Sequence, residues 1–161
     1  MVEDDAAAAR EAAVRLLARR EHSTRELEHK LAERGFEAAT VSAVLGELVA
    51  EGLLSEERFA EAFVASRIDK GSGPRRIQAE LRERGLTDEL IARYVDFSDR
   101  QWRERAVQVR RKRFGAQAPD ELRERARQAR FLQYRGFTAE QARVALNDND
   151  DELGLDEAPD P

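Results

Sequence analysis

The residues best placed to do chemistry in this chain lie in the stretch DKGSGPRRI, Asp69 to Ile77, where a lysine, two glycines, a proline and two arginines fall together. A phosphate-binding loop needs backbone N–H groups that converge on the ligand after a strand and ahead of a helix. Here the lysine precedes the glycines, the spacing is not G-x-x-x-x-G-K-[ST], and no strand pattern comes before it. A joint between helices explains more. Gly71 ends one helix, Gly73 allows a tight bend, and Pro74 opens the next helix, where a missing N–H costs nothing. Lys70, Arg75 and Arg76 gather at this joint and are candidates for contact with an acidic surface or a nucleic-acid backbone.

A second candidate is RQWRERAVQVRRKRF, Arg100 to Phe114. Residues 100–113 carry seven basic side chains against Glu104 alone. Arg110, Arg111, Lys112 and Arg113 cover a full helical turn and so cannot all face a core. Like charges this dense favour an anionic partner. Other chemistry is not visible. None of the serines lies in a G-x-S-x-G frame. His22 and His29, with Glu26 between them, read as surface residues, because a metal site needs further ligands. There is no cysteine, which excludes disulfides and thiolate metal sites. The chain is expected not to be an enzyme and to use no cofactor or metal.

The elements that must position these residues follow from a repeat. HKLAERGF, AELRERGL and RFLQYRGF carry Gly35, Gly85 and Gly136, which are 50 and 51 residues apart. Leu27 and Leu31 correspond to Ile77 and Leu81. After the glycines, Val41, Val44 and Leu45 correspond to Ile91, Tyr94 and Val95, then to Ala142, Ala145 and Leu146. The i, i+3, i+4 spacing gives one apolar stripe per helix. Each repeat reads as three short helices: about 6–20, 24–34 and 37–50; 56–70, 74–84 and 88–95; 99–114, 119–135 and 139–147. Ser98 with Gln101, and Thr138 with Gln141, fit the capping-box pattern. Ser23 or Thr24 suits the cap in the first repeat. Phe59, Phe63 and Trp102 read as packing residues. The predicted fold is all-α, an elongated array of three tandem three-helix repeats, because so short a unit must bury its stripe against neighbours. The boundaries are residues 1–53, 54–97 and 98–147.

Charge is distributed unevenly. The net formal charge is −5, yet residues 6–147 hold all 28 Lys and Arg against 23 acids. Residues 148–161 carry seven acids and no base and are expected to form a disordered tail. No apolar run approaches the roughly 20 residues that span a bilayer, and the first residues lack signal-peptide order. A cytoplasmic location is the simplest reading.

LVAEGLLSEERFAEAFVASRIDKGSGPRRIQAELRERGL, Leu48 to Leu86, closely resembles the central signature of the bacterial RecX regulatory family: E-G-L-L, R-F-A-x-x-F, then G-P-R-R-I-x-x-E-L ahead of R-G-L. REHSTRELEHKLAERGF, Arg20 to Phe36, is similar to that family's first-repeat signature. The resemblance spans about residues 8–147 and is weaker in the third repeat, where Gln128 stands in the place of Ile77. It implies a non-enzymatic modulator of the RecA recombinase in homologous recombination, DNA repair and the SOS response. Such proteins lie along the groove of the RecA–single-stranded-DNA filament and mostly suppress its ATPase, growth and strand exchange. A monomer is expected. Charge alone selects Lys70, Arg75, Arg76, Arg110, Arg111, Lys112 and Arg113 as the residues touching RecA or single-stranded DNA.

Two other readings stay open. Residues 23–54 have the cadence of a helix-turn-helix transcriptional regulator, with 40–50 as recognition helix, but that helix carries almost no base-reading side chain. A scaffold that binds another protein without any DNA is the other.

Overall fold

The computed structural model describes residues 2–148. Among these residues there are nine α-helices and no strand. They are α1 (Val2–Arg19), α2 (Thr24–Glu33), α3 (Ala38–Ala50), α4 (Glu56–Asp69), α5 (Pro74–Glu83), α6 (Asp88–Tyr94), α7 (Gln101–Phe114), α8 (Leu122–Tyr134) and α9 (Ala139–Leu146). They form three three-helix domains in tandem, as the repeat predicts. The acidic tail from residue 149 lies outside the described residues.

The local chemistry that shapes each repeat is the glycine after its middle helix. Gly35, Gly85 and Gly136 have φ of 90°, 87° and 104°, a region that side chains disfavour. In each case the glycine N–H bonds the carbonyl three residues back, and the next N–H reaches five back: Phe36 to Leu31, Leu86 to Leu81 and Phe137 to Leu132. This closes the helix and turns the chain. Capping boxes form at Ser23 with Glu26 and at Thr138 with Gln141. The expected Ser98–Gln101 box does not form. Ser98 donates to Asp96 Oδ1 at 2.6 Å, and the Gln101 N–H bonds Asp99 Oδ1 at 3.0 Å. The carboxylates preceding α7 outcompete the serine. The predicted apolar stripes are buried, with Leu27, Leu31, Ile77, Leu81 and Leu132 at 0% exposure.

The described chain divides into two compact units. The first comprises residues up to Ala65 with Glu80–Tyr94, and the second comprises Ser66–Ala79 with the residues from Val95 on. In the first, α1, α2 and α3 pack on one another. Ala9 and Ala13 let the helices approach over a core of Leu27, Leu31, Val44 and Leu48. In the second, α7, α8 and α9 pack together.

Neighbouring repeats meet in one recurring way. In the second unit the joint ahead of α5 meets the turn after α8. The Gly73 N–H bonds the Arg135 carbonyl at 2.8 Å, and the Arg75 N–H bonds the Gly136 carbonyl at 2.9 Å. Open donors at the start of one helix thus meet open acceptors past the end of another. A Cβ on Gly73 would lie 2.3 Å from both the Gly136 carbonyl carbon and the Phe137 nitrogen. A Cβ on Gly136 would lie 2.4 Å from the Arg76 Cβ. Gly73 is therefore a point of close backbone contact as well as part of the bend between α4 and α5. In the first unit the aligned joint meets the Gly85 turn through a side chain: a Cβ there would lie 2.8 Å from Arg25 Nε, and Arg25 donates to the Glu83 carbonyl at 3.4 Å.

Arg110 organises the second unit from within. Its side chain is 0% exposed. Nε donates to the Ala145 carbonyl at 2.8 Å, Nη1 to Gln117 and Gly115 at 3.1 and 3.4 Å, and Nη2 to Ala116 at 3.4 Å. Asp148 Oδ2 lies 3.8 Å from Nη2 and only 2.6 Å from Arg111. Burial pulls the Arg110 pKa down, and Asp148 opposes that shift. The guanidinium stays charged at neutral pH. It ties the end of α9 to the loop between α7 and α8. Asp148, assigned to the tail by sequence, is buried and part of this cluster.

His22 also departs from expectation. It is 1% exposed, not a surface residue. Lys30 Nζ, which can only donate, lies 3.2 Å from Nε2, so Nε2 accepts. The ring proton then sits on Nδ1 and is donated to the Arg20 carbonyl at 3.1 Å. Burial pulls the His22 pKa below its ordinary value, and the charges of Arg20 and Lys30 add to this against the Arg20 carbonyl and Glu26. Burial pushes the Glu26 carboxyl up, but hydrogen bonds from Arg20 and the Ser23 N–H bring it below its usual range. His29, in contrast, is exposed and faces Glu33 at 3.0 Å.

Three outcomes follow for stability. Gly35→Ala meets open space and should cost only the left-handed backbone strain, about 1–2 kcal/mol. Gly73→Ala and Gly136→Ala must also displace main chain and should each cost about 3 kcal/mol or more in urea unfolding. Equal costs at the three sites would remove the close contact from the account. Arg110→Met should cost about 3–5 kcal/mol, because four carbonyls lose their donor and Asp148 keeps only Arg111. A cost below about 1 kcal/mol would show that water replaces it. For His22 the folded state binds its proton less readily than the unfolded chain. Stability is therefore full above pH about 6.5 and falls as pH drops toward the depressed folded value. A plot of thermal midpoint against pH should slope upward in that window for the wild type and be flatter for His22→Gln. The Glu26 contribution is lost at lower pH, from the ordinary carboxylate value downward through its depressed folded value.

Candidate functional site

A face of α7 beside its core stripe builds the candidate site. Trp102, Ala106 and Arg110, spaced i, i+4, i+8, turn inward and are buried. Val109, Lys112 and Arg113 then share the neighbouring stripe. On α8, Gln128 and Leu132 are buried, which places Phe131 and Arg135, one turn apart, beside that stripe. The close contact of Gly73 with Gly136 brings the end of α4 to the same place, with Lys70 and Gly71. All of these residues belong to the second unit.

They enclose a concavity of about 460 Å3. Its cations are Lys70, Lys112, Arg113 and Arg135, its apolar floor includes Val109 and Phe131, and Asp69 is its one acid. Arg113 and Arg135 lie over the Phe131 ring at 5.6 and 5.2 Å. Phe131 in turn meets Phe114 edge-on at 5.2 Å, with Arg127 over Phe114 at 5.4 Å. Such contacts hold a guanidinium over an aromatic face without neutralising it. Arg135 also donates to the Lys70 carbonyl at 3.0 Å, a favourable place for a cation past the end of α4. Among the described residues, Lys70, Lys112 and Arg113 have no carboxylate partner.

The structure thus brings together Lys70, Lys112 and Arg113, which the sequence supplied as two separate clusters. It does not bring in the others. Arg75 and Arg76 are exposed on the first turn of α5, with Arg76 over Tyr134 at 5.9 Å. Arg111 is 29% exposed and paired with Asp148. Arg110 is buried, so its charge is spent on the fold. The residues selected by charge did not include Arg135 or Phe131, which line the concavity. The available signal was the i, i+4 spacing of Phe131 and Arg135 on a helix whose core positions were already assigned by the repeat.

The DKGSGPRRI stretch does not cradle phosphate. The Gly73 and Arg75 N–H groups, which an anion would need, are already taken by the carbonyls of Arg135 and Gly136. No group of three or more His, Asp or Glu among the described residues is placed to hold a metal ion. No described helix is long and apolar enough to cross a membrane.

Comparison with known proteins agrees with the repeat. Residues 9–48, 55–94 and 99–146 match the models of the first, second and third three-helix domains of RecX. The chain is 53% identical over 149 residues to a regulatory protein RecX of Halorhodospira halophila, covering 91% of this chain and 92% of that protein. It is 45% identical over 134 residues to one of Pseudomonas syringae pv. tomato, covering 83% and 86%. A crystal structure of RecX from Lactobacillus salivarius superposes with a TM-score of 0.75 at 20% identity, over 90% of this chain and 96% of that one. A second crystal structure, of a regulatory protein RecX, gives 0.76 at 22% identity, over 91% and 74%. With three consecutive domain matches and relatives this similar along most of their length, the chain belongs to the RecX family of regulatory proteins.

Proposed function

We propose that this chain binds the RecA recombinase on its single-stranded-DNA filament and inhibits ATP hydrolysis, filament growth and strand exchange. It does so by occupying a surface, with no catalysis of its own, as a cytoplasmic monomer. The observation that carries the reading is the consecutive match of all three three-helix domains, residues 9–48, 55–94 and 99–146. The concavity supports it, because a filament partner presents both protein and phosphate, and three cations here lack a carboxylate partner among the described residues. Helix α3 argues against a transcriptional regulator. Val41, Val44, Leu45 and Leu48 are committed to the core, and Glu47 is the one charge on its exposed face. A carboxylate repels phosphate and cannot lead a helix into a major groove.

The test is single-stranded-DNA-dependent ATP hydrolysis by the cognate RecA, with this protein titrated in below one copy per protomer. The rate should fall at such ratios. Lys112→Glu with Arg113→Glu should weaken inhibition without lowering the thermal midpoint, since both side chains are exposed. No change in rate with folded wild-type protein would overturn the proposal.

A further inference from the structure

We propose that the acidic segment 149–161 docks in the basic concavity of its own chain and keeps it covered until an anionic partner displaces it. The contact belongs to the free chain. Only its role as a brake on inhibition rests on the filament reading above.

Charge and composition both match. The concavity holds Lys70, Lys112, Arg113 and Arg135 against Asp69 alone. Residues 149–161 read NDDELGLDEAPDP, with six acids and no base. Acids this dense repel one another until cations answer them, and cations set around one concavity do the same. The floor is matched as well. Leu153 and Leu155 are the two large apolar residues of the segment, and Ile68, Val109 and Phe131 line the concavity. A purely polar anion leaves that floor bare, whereas an acidic segment carrying two leucines uses both the rim and the floor.

The point of attachment favours this occupant over an unattached one. Asp148 is buried, and its Oδ2 lies 2.6 Å from Arg111. Arg111 directly precedes Lys112 and Arg113 on α7. Gln108 lines both the concavity and the groove between α7 and α9 that contains Asp148. About one helix diameter, roughly 10 Å, therefore separates Asp148 from the concavity. Roughly three or four residues of chain cross that distance. Asp150, Asp151 and Glu152 come at this spacing after Asp148, and the leucines follow. A link this short raises the segment's local concentration to about the millimolar range.

The α7–α9 groove is the poorer seat. It offers Val107 and Val144, but its Arg103 and Arg111 already face Glu140 and Asp148 at 2.8 and 2.6 Å. Little charge is left there to hold six acids. Exposed charges fade beyond about 8 Å at physiological ionic strength, so the acids that count are those the chain delivers to the concavity.

The experiment compares amide NMR spectra of two full-length chains, the wild type and one whose segment is neutral: Asp150→Asn, Asp151→Asn, Glu152→Gln, Asp156→Asn, Glu157→Gln and Asp160→Asn. Shift differences should concentrate at Lys70, Gly71, Val109, Lys112 and Arg113. The chain has no cysteine, so Ala158→Cys accepts a single nitroxide. In low salt that label should broaden the Arg113 amide to less than about half its intensity, and the signal should recover near 1 M salt, where screening acts within about 3 Å. Lys112→Glu with Arg113→Glu should abolish the broadening at the neighbouring Val109. Circular dichroism and the thermal midpoint confirm that the variants fold. In the ATP hydrolysis assay the neutral-segment chain should inhibit at a several-fold lower concentration than the wild type.

Shift differences confined to Arg103, Val107 and Val144 would overturn the proposal and assign the segment to the α7–α9 groove. Differences confined to the segment itself, or broadening that ignores salt and the charge reversal, would overturn it too. Equal inhibition by the two chains would overturn the brake. The two readings fail separately. A wild type that shows the contact but leaves ATP hydrolysis unchanged sinks the filament reading and keeps the docked segment, while inhibition without the contact does the reverse.

Discussion

Between Gly73 and Gly136 two main chains come together with no room for a side chain, and the second unit is arranged around that approach. The contact joins donors at the start of α5 to acceptors beyond α8, so neither helix end is left unsatisfied where the repeats meet. Its consequence reaches the surface. It sets the last turn of α4 beside α7 and α8, which carries Lys70 to the rim of the basic concavity. Arg135, one residue before the glycine, completes the link by donating to the Lys70 carbonyl. A wider spacing here would separate the two charge clusters that the chain supplies thirty-odd residues apart, and the concavity would open into two unrelated patches.

The repeats preserve this geometry while changing the chemistry that achieves it. At the first position of α2, the Thr24 N–H is satisfied by Glu56 at 2.6 Å. At the aligned position of α5, Pro74 has no N–H to satisfy, and no such carboxylate is needed. Where Gly136 receives main chain, Gly85 receives the Arg25 side chain. What all three repeats share is the positive-φ glycine and the apolar residue after it, because no other residue closes the middle helix at that angle without strain. The price of variation shows at Gln128, in the place of Ile77. It is 4% exposed and donates to Glu124 at 3.1 Å, but Oε1 has no partner among the described residues.

Nearly all of the fold was legible because its determinants are local. The 3.6-residue period, the turn glycines and Pro74 each act within one or two helical turns. The features that were not legible depend on residues distant in sequence. Gly73 reads as a bend until its neighbour Gly136 is known. His22 reads as a surface residue until Lys30 and the Arg20 carbonyl enclose it. Asp148 reads as the first residue of an acidic tail until Arg111 reaches it. Arg110 is the instructive case, since its position was readable. It continues the stripe of Trp102 and Ala106 at four-residue spacing, and a run of cations that covers a whole turn must send one of them inward. Counting charge without asking which way each side chain points assigned it to the surface.

The division of labour between arginine and lysine follows from their hydration. A guanidinium is weakly hydrated and offers five donors in a fixed plane, so Arg110 can be buried against several carbonyls. Arg113 and Arg135 use the same planarity to lie over Phe131. Lys70 and Lys112 hold compact, strongly hydrated charges on flexible stems and stay at the solvent edge. The chain's net charge of −5 says little about such a surface. At physiological ionic strength, exposed charges are screened beyond about 8 Å. The field inside the concavity is therefore set by its four cations and Asp69 more than by the acids elsewhere in the chain.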